Sequence, residues 1–204
     1  HIPGHEPAGT VAAVGTEVTA FKVGNRVVPH LFVSTAPCRY SLSGQHAQAM
    51  HLKGIIGVTL PGGFAEYFTA PARNLLVLPD EVPFDAGGLT SCAVITAVHA
   101  YRKPGLQAGD TAVVLGAGGI GLMLVQLLVS AGIRTIALSR SQASLELAQQ
   151  AGASEVLMLD TLNLQSEIRS HAGNDKDGAD CVFELVGLAD PVGAGHRAGG
   201  PHSD

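Results

Sequence analysis

Two groups of residues in this chain could do chemistry. One is a glycine cluster at Gly116, Gly118, Gly119 and Gly121; the other is the metal-ligating types scattered along the chain, nine histidines and three cysteines. The glycines follow an apolar run over 112–115 and precede an apolar, helix-prone run over 122–129. That order reads as strand, tight turn, helix. Gly116 permits the turn, Gly118 lets backbone approach a pyrophosphate, and Gly121 lets the helix pack close to the strand. Phosphate oxygens would meet the unpaired N–H groups at the helix N-terminus, with Gly119 and Ile120 in the first turn, where the helix dipole also favours negative charge. A dinucleotide is the expected ligand. Taken singly, such residues say less: a His-Glu pair such as His5-Glu6 is common at a strand start, and a lone cysteine on an apolar helix, as Cys92 is, is ordinarily a small buried hydrophobe.

The elements after the glycine loop sharpen the cofactor. A second strand over 133–138 ends in Ser139-Arg140-Ser141. In an NAD site an acidic residue at this point holds the ribose hydroxyls. Ser139 removes its repulsion of a 2′-phosphate, and the Arg140 guanidinium can pair with that phosphate. The pair predicts NADP in preference to NAD; the alternative is that Arg140 only stacks on adenine, which suits either cofactor. Ser141 caps a helix to Gln150, closed by Ala151-Gly152. A third strand over 155–159, a weaker helix over 162–171 and a fourth strand over 180–185, with Cys181 packed inside it, complete the pattern.

Composition sets the outer limits. The chain has 204 residues, 46% hydrophobic, with 26 glycines, which suits a buried parallel sheet with tight turns. Net charge is −5 without a Lys/Arg cluster, so neither nucleic acid nor an anionic membrane is an expected partner. Three cysteines, Cys38, Cys92 and Cys181, lie far apart, which argues for a reducing compartment and against a disulfide framework. No residue from Thr111 to Ile133 is charged, long enough for a membrane span, but four clustered glycines would weaken such a helix.

The first 110 residues read as mostly β. Val11, Val14, Val18, Phe21, Val23, Val27 and Val28, separated by Gly9, Gly15 and Gly24, predict short strands joined by turns. Val58, Phe64, Tyr67 and Phe68, then 75–78, predict further strands broken by Pro61-Gly62-Gly63. Residues 86–101 predict a helix ended by Pro104-Gly105. Thr96 stands one turn beyond Cys92, on the same side of that helix.

Several motifs in order carry a family resemblance. Gly4-His5-Glu6, followed by Gly9, Gly15 and Val18, resembles the zinc alcohol dehydrogenase signature of the medium-chain dehydrogenase/reductase superfamily. GGFAEY over 62–67 and GADCVFELVG over 178–187 resemble the same family. The resemblance implies an α/β plus β fold: a partial GroES-like catalytic domain over 1–109, then a partial Rossmann nucleotide-binding domain over 110–187. Residues 188–204 are expected as an irregular tail, and the chain as a piece truncated at both ends. His5 would be a catalytic zinc ligand, Glu6 a carboxylate beside the metal, Cys92 the last catalytic ligand, and Thr96 a neighbour of the nicotinamide. The family's first ligand, a cysteine, and the start of its proton relay would lie upstream of His1.

The activity so implied is reversible, NAD(P)-linked oxidation of an alcohol or polyol to a carbonyl by hydride transfer, with zinc as Lewis acid. The expected partner is a small-molecule alcohol or carbonyl, and the full-length protein is expected to be a cytoplasmic homo-oligomer. Two alternatives stay open: a zinc-free quinone or enoyl reductase of the same superfamily, and a non-catalytic NADP-binding fragment. CRYSLSGQ, from Cys38, resembles the family's structural-zinc lobe, whose four cysteine positions fall at Thr35, Cys38, Ser41 and Ala49. One thiolate cannot close a tetrahedral site, so that second zinc is expected to be lost.

Overall fold

In the computed structural model, which describes residues 1–159, 164–172 and 178–187, the chain divides into a unit His1–Cys92 and a second unit beginning at Ala93. The first unit contains, in chain order, β1 (Gly9–Thr10), β2 (Arg26–Pro29), β3 (Phe32–Ser34), α1 (Arg39–Leu42), β4 (Leu52–Ile55), β5 (Leu75–Val77) and α2 (Phe84–Leu89). Strands β1, β2 and β5 form an antiparallel sheet in the order β1-β2-β5, and β3 pairs with β4. Val27 and Val28 are both buried, so β2 is covered on both faces, since successive side chains point to opposite sides. Asn74, also buried, ties the bend after β2 to β5: its Nδ2 donates to the carbonyls of His30 (2.8 Å) and Phe32 (2.9 Å).

Fewer strands form here than the apolar pattern predicts. Val14 and Val23 are exposed, and only the ends of the opening stretch enter the sheet. Phe64 and Tyr67 lie in an irregular, exposed segment, and Phe68 is likewise outside any strand. The physical reason is where their donors go. The N–H groups of Gly62, Gly63 and Phe64 donate to the carbonyls of Ile2 (2.8 Å), Gly4 (2.8 Å) and Pro3 (3.0 Å), pinning the start of the chain instead of extending a ladder.

The second unit contains α3 (Ile95–Arg102), β6 (Thr111–Leu115), α4 (Gly119–Ser130), β7 (Arg134–Ser139), α5 (Gln142–Gln150), β8 (Glu155–Met158), α6 (Leu164–His171) and β9 (Cys181–Glu184). The four strands among its described residues are parallel, in the order β8-β7-β6-β9. Every residue of β6 is buried, and alternation sorts them into two cores. Ala112 and Val114 pack with Ala97 of α3 and Leu124, Val125 and Leu128 of α4. Val113 and Leu115 pack with Ile136 and Leu138 of β7 and with Leu164 and Ile168 of α6. Helices therefore cover both faces, as an all-parallel sheet requires, and each fully buried aliphatic side chain contributes roughly 1.5–3 kcal/mol.

Strand and helix limits from Thr111 onward agree with the sequence pattern to within a residue or three. The start of the helix expected over 162–171 and the tail expected over 188–204 lie outside the described residues. Packing and motif place the junction between units differently. Sequence motifs put it after 109, whereas Ala97 is fully buried in the core of the second unit. The uncharged stretch is a strand, a loop and the twelve-residue α4, and no helix among the described residues is long and apolar enough to cross a membrane.

Candidate metal centre and nucleotide loop

The His5, Glu6 and Cys92 side chains converge within the first unit. Taking one ligand atom from each, all lie within 4.8 Å of one another, and all three residues are partly buried. Among the described residues this is the one group of three or more His, Cys, Asp or Glu side chains so arranged. A tetrahedral zinc with bonds of about 2.0–2.3 Å sets its ligand atoms roughly 3.3–3.8 Å apart, so small side-chain rotations suffice for these to share an ion. The mixed nitrogen, oxygen and sulfur donor set also suits that metal. The residues present fit a zinc ion.

Glycines bring these side chains together. A Cβ on Gly57 or Gly62 would collide with the Gly4 carbonyl oxygen, and one on Gly63 with the Pro7 side chain. The backbone around His5 is thus pressed against the 57–63 segment with no room for side chains between. Gly4 itself has φ +100, a conformation that L side chains rarely adopt. Gly4, Gly62 and Gly63 stand in motifs that the sequence shows, but no local pattern there marks their packing role, and Gly57 carries no signal of its own.

Cys92 comes from the helical end of the unit. Arg26 of β2 holds the approach to α2: its guanidinium donates to the carbonyls of Pro79 (3.0 Å), Asp80 (2.6 Å) and Val82 (2.5 Å), and sits 4.3 Å from the Phe84 ring centroid. Helix α2 then passes the His5-Glu6 segment so closely that a Cβ on Gly88 would lie 2.6 Å from the Glu6 carbonyl oxygen. From Thr90 to Val94 the helix widens to a π turn, and Cys92 sits inside it. Such bulges are frequent at functional sites. Thr96 lies two residues beyond this turn, in α3, and is exposed.

The glycine loop lies at the C-terminal end of β6. Gly116 has φ +106, and the N–H groups of Gly116 and Ala117 donate to the Leu138 carbonyl (2.8 and 3.1 Å), drawing the loop over the end of β7. A Cβ on Gly121 would strike the Gly116 carbonyl oxygen, so α4 packs onto the loop only because Gly121 lacks one. Gly118 and Gly119 differ. Neither has a positive φ, and a Cβ on either would meet nothing within 4 Å among the described residues. Internal packing does not demand glycine at these two positions, whereas close approach of a pyrophosphate does. Gly118 caps α4 without a side-chain hydrogen bond, so the first-turn N–H groups keep donors for an anion. Ser139 and Arg140 follow Leu138 directly. Ser139 Oγ accepts from the Ser141 N–H (3.1 Å), and Arg140 is exposed with no partner among the described residues.

Residues 1–80 match the alcohol dehydrogenase GroES-like domain, and residues 119–197 match the zinc-binding dehydrogenase domain. An alcohol dehydrogenase from Geobacillus stearothermophilus is 36% identical over 157 residues, covering 76% of this chain and 46% of that protein. The (R,R)-butanediol dehydrogenase of Bacillus subtilis strain 168 is 35% identical over 188 residues, covering 91% of this chain and 51% of its own. The chain belongs to the zinc-containing alcohol dehydrogenase family. It spans about half the length of the curated relatives it matches. Among solved structures, a zinc-binding dehydrogenase from Sinorhizobium meliloti 1021 bound to NADP superposes with a TM-score of 0.88 at 28% identity, covering 97% of this chain and 58% of that one.

In this zinc-type dehydrogenase chain, the segment over 35–49 carries a hydrogen-bonded turn. The Cys38 N–H donates to Ser41 Oγ (2.9 Å), whose hydroxyl donates back to the Cys38 carbonyl (3.1 Å), and Thr35 Oγ1 donates to the His51 carbonyl (3.1 Å). Backbone N–H groups, of Ser41 first and then Met50, lower the Cys38 thiol to about 7. The His30 and His46 rings lie 4.9 Å apart; burial first, then His46, holds the His30 pKa below its ordinary value.

Proposed function

We propose that the whole protein is a zinc-dependent alcohol dehydrogenase that interconverts an alcohol or polyol and its carbonyl, preferring NADP over NAD. The observation that carries this reading is the convergence of His5, Glu6 and Cys92 ligand atoms within 4.8 Å. His5 and Cys92 would hold the metal, with the Glu6 carboxylate beside it. When bound, zinc supplies Lewis-acid polarisation of the alcohol or carbonyl oxygen. The hydride chemistry belongs to the nicotinamide, so the protein's part is to bind and orient it. Gly118 and Gly119 leave room for the pyrophosphate, and the N–H groups of the first turn of α4 supply its donors. Ser139 withdraws the carboxylate that would repel a 2′-phosphate, and the unpartnered Arg140 guanidinium pairs with it. Relatives named alcohol and butanediol dehydrogenases, and a neighbour bound to NADP, support the same reading.

Metal analysis of the full-length protein, followed by a dehydrogenase assay over an alcohol panel, tests it. The expected result is close to stoichiometric zinc, with His5→Ala and Cys92→Ala each weakening zinc at least about tenfold, since even disturbed outer-shell partners cost 10–100-fold. Less than about 0.2 zinc per chain would turn the reading to a zinc-free reductase of the same superfamily. NADPH binding without turnover of any alcohol would turn it to a non-catalytic NADP-binding protein.

A further inference from the structure

A cavity of about 270 Å³ opens in the first unit between the end of β3, helix α1 and Arg73. Its lining contains none of the residues of the candidate metal centre. The volume lies just under the range of about 300–1,000 Å³ usual for small-ligand sites. Ala36, Pro37 and Leu42 supply its apolar lining, His46 and Arg73 its basic side chains, and no acidic side chain lines it. Arg73 is anchored by one hydrogen bond, from Nη2 to the carbonyl of the buried Ser34 (2.6 Å). Its remaining donors have no partner among the described residues. A guanidinium has five N–H donors in a planar fork that matches a carboxylate, so this exposed one, tethered at Nη2, keeps its other donors open to a ligand. The His46 ring is braced against His30, 4.9 Å away, and likewise makes no hydrogen bond among the described residues.

We propose that this cavity binds a small organic carboxylate, its carboxyl group on Arg73 and His46 and its apolar body against Ala36, Pro37 and Leu42. An oppositely charged partner completes the unpaired guanidinium, and the apolar wall selects an acid with a compact hydrocarbon body over a bare inorganic anion. The proposal does not depend on the dehydrogenase reading.

Calorimetric titration of the full-length protein with benzoate, with benzyl alcohol as the neutral match and inorganic phosphate as the bare anion, tests it. Benzoate should bind in the millimolar range or tighter, and the other two at least about tenfold more weakly, the expected margin for a charge-assisted pair. Arg73→Gln should weaken benzoate at least about tenfold. Leu42 is 78% exposed, so Leu42→Glu leaves the fold intact while setting a like charge at the rim; it should weaken benzoate similarly and stays decisive if Arg73→Gln fails to fold. His5→Ala should bind benzoate as the wild type does. Benzoate binding lost in His5→Ala, binding indifferent to Leu42→Glu, or no binding up to about 10 mM would each overturn the proposal.

Discussion

A Cβ on Gly88 would stand 2.6 Å from the carbonyl oxygen of Glu6, nearer than real Cβ atoms come to backbone. The helix that leads to Cys92 and the irregular segment that carries His5 and Glu6 are therefore in contact through a missing side chain. Glycine in helix α2 is otherwise a liability, since it weakens a helix by about 1 kcal/mol relative to alanine. Here alanine would gain that propensity and lose more, because the atom it strikes, the Glu6 carbonyl oxygen, is fixed backbone.

Gly88→Ala should therefore destabilise the first unit by about 1–3 kcal/mol, the usual range for overpacking. Because the relief available is to move α2 off the His5-Glu6 segment, zinc affinity should fall at least about tenfold as well. Thermal melting with and without zinc, followed by competitive metal titration, checks both. Zinc affinity equal to wild type would show that this contact does not set the position of Cys92.

The two halves of the chain were not equally legible. In the second unit, Ala112 to Leu115 is apolar at every position because the strand is buried on both faces, and glycines with fixed conformational duties mark its turns. Sequence pattern and structure then coincide. In the first unit, Phe64 and Tyr67 look like strand residues because aromatics favour sheets, yet that preference is for a packed, half-buried surface. These two are 78% and 75% exposed. Their neighbourhood spends its backbone donors on Ile2, Pro3 and Gly4, a long-range pairing no local periodicity encodes. His5 and Cys92, the candidate ligands that the structure brings together, are named by motif in the sequence. The packing role of the glycines that let them meet is not, since a packing glycine and a turn glycine look alike in sequence, and the π turn around Cys92 left no trace in the apolar pattern.

The glycine loop separates binding from folding. Alanine at Gly121 must displace the Gly116 carbonyl, so Gly121→Ala should lower the melting temperature through about 1–3 kcal/mol of strain. Alanine at Gly118 meets open space and an ordinary φ of −86, so Gly118→Ala should melt like the wild type yet bind NADPH at least tenfold more weakly, about one lost hydrogen bond's worth to a charged group. Differential scanning fluorimetry against cofactor fluorescence titration distinguishes the two. Unaltered NADPH affinity in Gly118→Ala would remove the reason given for glycine at that position.

Ser139→Asp should move cofactor preference from NADPH toward NADH. The new carboxylate would repel a 2′-phosphate and accept hydrogen bonds from the ribose hydroxyls of NADH instead. Arg140→Ala should weaken NADPH by roughly tenfold to a hundredfold while leaving NADH within about threefold, since only the phosphate has a charge to lose. Equal losses for both cofactors would mean that Arg140 stacks on adenine and does not read the phosphate. Paired titrations with the two reduced cofactors decide the point.

Cys38 supplies a test by pH. Its thiol is lowered to about 7 because backbone N–H groups of Ser41 and Met50 donate to the sulfur, an arrangement available only in the folded turn at α1. A depressed folded pKa means that the thiolate stabilises this turn at alkaline pH, and that the contribution fades as pH falls through about 7. Because the thiolate is the nucleophile, the rate of Cys38 alkylation by iodoacetamide should rise with a midpoint near pH 7. Burial pushes the Cys181 thiol the other way, so that residue should stay slow across the same range. Mass spectrometry of the modified peptides, sampled from pH 5.5 to 9, reads both sites in one sample. A Cys38 midpoint at the ordinary thiol value of about 8.5, in protein that remains folded, would mean that those N–H groups do not hold the sulfur in solution.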